Sequence, residues 1–173
     1  MRIVKTAVLL TVLASAAACG GADGKGSKAA ANRPCTIDDV TVAGATGSRP
    51  SITIKDGCTP GSQLLTKDLN SGEGPAVKRG DTVDTHYELK TWSDKQDVDS
   101  SWTRNQPFPV QNVGKARVIT GWNEGLIGMK EGGRRLLIVP PDKGYGAEGS
   151  PPIKGAETLV FVIDAVKVTG AGS

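Results

Sequence analysis

Val118-Ile119-Thr120-Gly121-Trp122 carries an apolar strand end through a glycine into a tryptophan. An indole beside β-branched side chains can floor a small apolar pocket, so the chemistry here starts from a surface rather than from a nucleophile. The remaining aromatics recur near the edges of loops: Tyr87, Trp92, Trp102, Phe108, Tyr145 and Phe161. Asp99 precedes Arg104 by five residues, a spacing that permits an ion pair inside one loop. On spacing alone, a functional pair and a plain surface pair both stay open.

Other chemistries lack their residues. There is no GxSxG elbow, and His86, the single histidine, has no carboxylate near it in sequence to orient it. The three cysteines form no CxxC and no Cys/His cluster, so a zinc site of the usual kind has no ligand set and no metal is expected. Gly144-Tyr145-Gly146-Ala147-Glu148-Gly149 matches the dinucleotide fingerprint letter for letter, but Ser150-Pro151-Pro152 follows where a helix is needed. Asp94, Asp97 and Asp99 resemble the start of a calcium loop, yet Trp102 stands at the required glycine and Phe108 at the bidentate glutamate. No cofactor is expected.

The elements that must position these residues are mostly strands. Val40 to Val42 and Ser51 to Ile54 alternate around Gly44, Gly47 and Pro50, which predicts a hairpin. Ser62 to Lys67 is a further short strand candidate. Asp81 to Lys90 alternates with Val83, Thr85, Tyr87 and Leu89 on one face and Asp84, His86 and Glu88 on the other, so His86 reads as a solvated residue. Arg134 to Val139 and Thr158 to Val168 are apolar at both parities, as strands covered on two sides are. Only Trp122 to Met129 has helical spacing, with Trp122, Leu126 and Met129 on one stripe, Thr120 as N-cap and Gly132-Gly133 as terminator. The expectation is α+β: a curved antiparallel sheet wrapped on one short helix.

The N-terminal part is read separately. Met1 to Ala18 has a positive start (Arg2, Lys5), an apolar run and a small-residue end, the pattern of an export signal. Cys19 after Ala16-Ala17-Ala18 resembles the lipobox of bacterial lipoproteins, whose cysteine is lipidated. Ala16 departs from the aliphatic norm there, so secretion of a soluble form stays open as the alternative to anchoring on the outer face of the cell membrane. Residues 19–34 have the composition of a flexible tether. Residues 35–61 form an extension in which Cys35 and Cys58 are expected to be disulfide-bonded once export makes the compartment oxidising. Residues 62–169 have the length of one domain with one core. The net charge of +3 is shared with signal and tether, so no basic face stands out for nucleic acid.

Lys78-Arg79-Gly80-Asp81, His86-Tyr87, Asp99-Ser100-Ser101, Arg104 to Phe108, Val118 to Trp122, Gly144-Tyr145-Gly146 and Thr158 to Phe161 stand in one order. In that order and spacing, the stretch from Ser62 to Val168 resembles the FKBP-type peptidyl-prolyl cis-trans isomerases. The resemblance implies a strongly bent antiparallel sheet around the short helix, isomerisation of prolyl bonds in proline-containing polypeptides, and binding of immunosuppressant macrolides. It implies that the proline ring stacks on Trp122, walled by Tyr87, Phe108, Val118, Ile119 and Phe161. The backbone N–H of Ile119 and the hydroxyl of Tyr145 would hold substrate carbonyls. Asp99, tied to Tyr87 and Arg104, would face the reacting carbonyl, and Ile153 would belong to a loop closing over the pocket. Val98 stands where the family usually carries phenylalanine, which makes that wall smaller. The expected enzyme is an exported, monomeric, lipid-anchored isomerase assisting folding. A catalytically weak FKBP-like binding module or chaperone at the cell surface is the alternative, and a surface lipoprotein whose pocket residues are merely core is a third reading.

Overall fold

The computed structural model describes residues 33–171; the signal segment, Cys19 and most of the tether lie outside the described residues. Among the described residues, no helix is long and apolar enough to cross a membrane.

The main sheet has the order β3 (Leu65–Asn70), β7 (Arg134–Val139), β8 (Leu159–Thr169), β4 (Thr82–Thr91), with the outer edge of β4 shared by two short strands. β5 (Asp97–Ser100) pairs with its second half and β6 (Phe108–Val110) with its first, and all pairings are antiparallel. The register slips once in β3/β7, once in β4/β8 and once in β4/β5. Such bulges bend a strand and raise its twist, which curves the sheet toward the helix.

That helix, α1 (Thr120–Gly125), is shorter than the apolar stripe predicted, and Ile119 rather than Thr120 is its N-cap. Leu126 and Met129 still bury beside Trp122, but from the turns that follow. Helix and sheet approach closely through glycine: a Cβ on Gly121 would lie 2.5 Å from Cγ1 of Val139. The inner face of the sheet, with Val83, Tyr87, Leu89, Leu137, Phe161 and Ile163, closes on Trp122, Leu126 and Met129 to form the main core.

The outer face is covered by a second sheet, β1 (Val40–Ala43) paired with β2 (Ser51–Ile54). Val40, Ile52 and Ile54 of this hairpin bury against Leu136, Ile138, Val160 and Val162. This is the physical reason that β7 and β8 are apolar at both parities. The structure joins Cys35 to Cys58 beneath it, with a Cα separation of 4.9 Å. Arg134, 2% exposed, lies in the seam; it donates to both carboxylate oxygens of Asp164 (2.5 and 2.8 Å) and to the carbonyls of Gly44 and Ser48 in the hairpin turn. The Gly47 N–H returns a bond to Asp164 (2.8 Å), so charge and hairpin are mutually satisfied.

Several expectations change here. The strand candidate at Ser62 to Lys67 begins at Leu65 and runs to Asn70. Asp97 to Ser100, within the acidic stretch that resembles the start of a calcium loop, is an edge strand. The polar face of β4 is not uniformly solvated: Glu88 is 2% exposed under the hairpin. His86 stacks on Trp102 at 4.1 Å, and its Nδ1 lies 2.9 Å from the Ser101 hydroxyl.

Candidate active site

Tyr87 and Leu89 from β4, Phe161 from β8, Phe108 from β6 and Trp122 from α1 converge on one cavity of about 260 Å³. The indole of Trp122 is its floor, and the other rings stand nearly at right angles to it. Tyr87 lies at 5.2 Å and 84°, Phe161 at 5.4 Å and 80°, Phe108 at 6.0 Å and 82°. At these angles none of the three wall rings lies flat on the indole, so no parallel-stacked neighbour occupies its face among the described residues. Trp122 is 4% exposed, and its Nε1–H has no hydrogen-bond partner among the described residues.

The approach to the floor is set by Asn123, a residue that sequence reasoning did not single out. Its Oδ1 accepts from the N–H groups of Gly114 and Ala116 (2.9 Å each), and its Nδ2 donates to the carbonyls of Ala116 (3.0 Å) and Val118 (3.3 Å). One side chain thereby holds the segment that brings Val118 and Ile119 to the rim. The carbonyl of Ile119 accepts from Trp122 and Asn123, which starts the helix.

Also on the cavity wall, the Tyr87 hydroxyl donates a very short hydrogen bond to Asp99, whose other oxygen accepts from Arg104 at 2.6 Å. Arg104 also donates to the Tyr87 oxygen (2.9 Å), closing a triangle. Burial works against the ionised Asp99, but the bonds from Tyr87 and Arg104 outweigh it and the carboxyl titrates below its usual range. The same burial, with Asp99 adjacent, raises the Tyr87 phenol to about 12. Tyr145 lines the mouth 40% exposed; burial, then the charge of Asp99, push its phenol up. At neutral pH the site thus holds one carboxylate and two neutral phenols.

Asp99, Tyr145, Trp122, Ile119, Tyr87, Phe108, Val118 and Phe161 are brought together around the cavity. Val98 and Ile153 do not line it. Val98 is the residue without a cross-strand partner at the β4/β5 bulge, and Ile153 is 7% exposed within the main core. Leu89 and Arg117 do line it and were missed. The alternation of β4 already put Leu89 on the face of Tyr87; Arg117 carried no signal beyond its nearness to Val118.

A larger cleft, about 690 Å³, lies between Pro60–Ser62, Trp92 and residues 154–158. Two of its charged groups are already paired, Lys154 with Asp94 (2.6 Å) and Glu157 with the N–H and hydroxyl of Ser93. It holds one aromatic ring where the smaller cavity holds five, so the smaller aromatic cavity is the better candidate.

A family model described as FKBP-type peptidyl-prolyl cis-trans isomerase matches residues 74–166, which contain the whole cavity. The chain belongs to this family. It is a peptidyl-prolyl cis-trans isomerase with the FKBP fold. An FK506-binding protein of Streptomyces anulatus is 40% identical over 122 residues, covering 69% of this chain and 97% of that protein. The human peptidyl-prolyl cis-trans isomerase FKBP2 is 45% identical over 92 residues, 53% of this chain and 63% of its own. The crystal structure of FkpA from Escherichia coli superposes with a TM-score of 0.57 at 36% identity, covering 62% of this FKBP-type chain and 49% of the other.

Proposed function

We propose that the cavity binds an X-Pro segment with the proline ring flat on Trp122, and that it lowers the isomerisation barrier by holding the twisted amide. The observation that carries this reading is the indole boxed by three perpendicular rings, in a cavity that Tyr145, Ile119 and Asp99 also line. Amide rotation costs ~18–20 kcal/mol because resonance is lost on the way. For X-Pro the two isomers differ by only ~0.5–1 kcal/mol, so exchange in both directions is useful.

In the twisted state the carbonyl is less polarised and the ring nitrogen is pyramidal. A dry aromatic pocket favours that form over the planar amide, and this difference in binding is what accelerates the reaction. The Ile119 N–H and the Tyr145 hydroxyl hold flanking carbonyls, while Asp99, kept ionised and oriented by Tyr87 and Arg104, faces the reacting carbonyl. No bond is made or broken, so the mechanism asks for no acid, base or nucleophile. The same cavity is the proposed site for FK506-type immunosuppressant macrolides.

The physiological role follows from the N-terminal reading: an exported, monomeric isomerase, lipidated at Cys19, with residues 62–169 as the catalytic domain and 35–61 as its docked extension. It would assist the folding of exported proline-containing polypeptides. A protease-coupled isomerisation assay tests the site. Wild-type turnover that is lost in Trp122→Leu and reduced in Tyr145→Phe supports it; absence of turnover in every X-Pro context removes it. Mass spectrometry of the mature N-terminus tests the anchor, and an unmodified Cys19 or cleavage elsewhere removes that part.

A further inference from the structure

We propose that Arg49, carried on the N-terminal hairpin, is a positioning residue for the isomerase site, acting through Glu88 and Ser100 on the carboxylate of Asp99. The inference rests on the reading of the site given above, and it assigns a role to an extension that lies outside the family match at residues 74–166.

The relay can be followed atom by atom. Arg49 Nε and Nη2 donate to the two oxygens of Glu88 at 2.9 and 2.7 Å, a forked pairing. The Glu88 side chain is only 3% exposed, and among the described residues Arg49 is the one cation that bridges to it. Glu88 Oε2 also accepts from the hydroxyl of Ser100 at 2.7 Å. That hydroxyl accepts in turn from the Trp102 N–H (3.2 Å), which fixes its direction. Finally, the Ser100 backbone N–H donates to Asp99 Oδ1 at 2.8 Å. Asp99 and Ser100 point to opposite faces of β5, so the relay crosses the sheet: its outer half is polar and under the hairpin, its inner half is the pocket rim.

β5 needs such an anchor. It is a four-residue edge strand, and its register with β4 slips immediately beyond the Leu89–Asp99 pair. Two ladder positions, Glu88 with Ser100 and Leu89 with Asp99, stand between the bulge and the turn that follows. The Glu88–Ser100 bond pins the outer side of one of them. Without Arg49, the buried Glu88 carboxylate has lost its counter-charge and both forked donors, and any turn toward water alters what Ser100 bonds to. The hairpin keeps contacts with the sheet that do not involve Arg49: Arg134 donates to the Gly44 and Ser48 carbonyls, and the Gly47 N–H donates to Asp164.

The test uses the full chain in mild detergent, labelled with carbon-13 at the phenolic carbon of tyrosine. The sequence contains two tyrosines, so two signals appear, and Tyr145→Phe assigns that of Tyr87, the residue bonded to Asp99. In Arg49→Met the Tyr87 signal should move, and kcat should fall about tenfold with KM unchanged, short of the ~100-fold that a full 1 Å misplacement can cost. Arg49→Lys should restore part of both. Ser100→Ala, which leaves the hairpin contacts intact, should reproduce the loss, and the double variant should be no worse than the worse single. An unmoved Tyr87 signal, an unchanged kcat or losses that multiply in the double variant would each overturn the relay. The outcomes separate the two levels: an inactive wild type overturns the reading of the site, whereas the Tyr87 signal reports on the Arg49 link without any need for turnover.

Discussion

Tyr87 and Asp99 meet across neighbouring strands, the phenol donating to the carboxylate and Arg104 bonding to both. The aromatic wall of the pocket and the one carboxylate that lines it among the described residues are therefore one unit. In Tyr87→Phe the wall survives but the carboxylate loses one of its donors. We expect kcat/KM to drop about three- to tenfold and stability by about 1 kcal/mol, the ordinary net worth of one hydrogen bond. Isomerisation kinetics and urea denaturation of the same variant check the two numbers; unchanged kinetics would show that Asp99 needs no help from Tyr87.

The titration of the site predicts a flat pH profile. Asp99 lies below the ordinary carboxylate value of ~3.9, and both phenols lie above ~10, so kcat/KM should hold steady from about pH 5 to pH 9. The signs for stability follow. Asp99 is depressed in the folded state, so its contribution is complete above its unfolded value and is lost as pH falls through the folded one. Tyr87 is raised to about 12, so its contribution is complete below ~10 and is lost on the way up to the folded value. A bell-shaped profile centred near neutrality would contradict this arrangement, since it would require a group titrating between these limits.

Gly121 seats the pocket floor. Its missing Cβ is the space occupied by Val139, so Gly121→Ala must push α1 away from β7 and carry Trp122 with it. Overpacking of this kind costs about 1–3 kcal/mol, and we expect that loss together with a fall in kcat/KM. Thermal melting and the isomerase assay check it, with Gly128→Ala, whose added Cβ meets no neighbour but whose φ is positive, separating backbone strain from crowding.

The hairpin should contribute strongly to stability. Removing the Cys35–Cys58 bond, which spans 23 residues, should cost about 2–4 kcal/mol. Arg134→Met, which leaves Asp164 buried beside the Gly47 N–H alone, should cost about 3–5 kcal/mol. Denaturant midpoints measure both, and thiol titration of the unfolded, unreduced protein checks the bond itself: two reactive thiols from Cys35 and Cys58 would exclude it.

The sequence by itself determined the members of the pocket more than their arrangement. Aromatic residues at Tyr87, Phe108, Trp122 and Phe161 stood out because they are scarce, and the alternation of β4 put Tyr87 on the apolar face. The double-parity apolar runs of β7 and β8 announced that something covers their outer face. What covers it is the cysteine-flanked hairpin, and only the tertiary structure decided that, because a docking surface depends on shape and on pairs such as Arg134–Asp164 and Arg49–Glu88. Those partners are 30 and 39 residues apart, too far for any periodicity to couple them. Val98 and Ile153, given pocket roles only by the family resemblance, show the same limit: a bulge leaves Val98 without a cross-strand partner, and Ile153 is buried in the main core. Asn123 leaves no mark in a hydrophobic pattern because it acts through four backbone hydrogen bonds, which exist only once residues 114–118 have been folded against it.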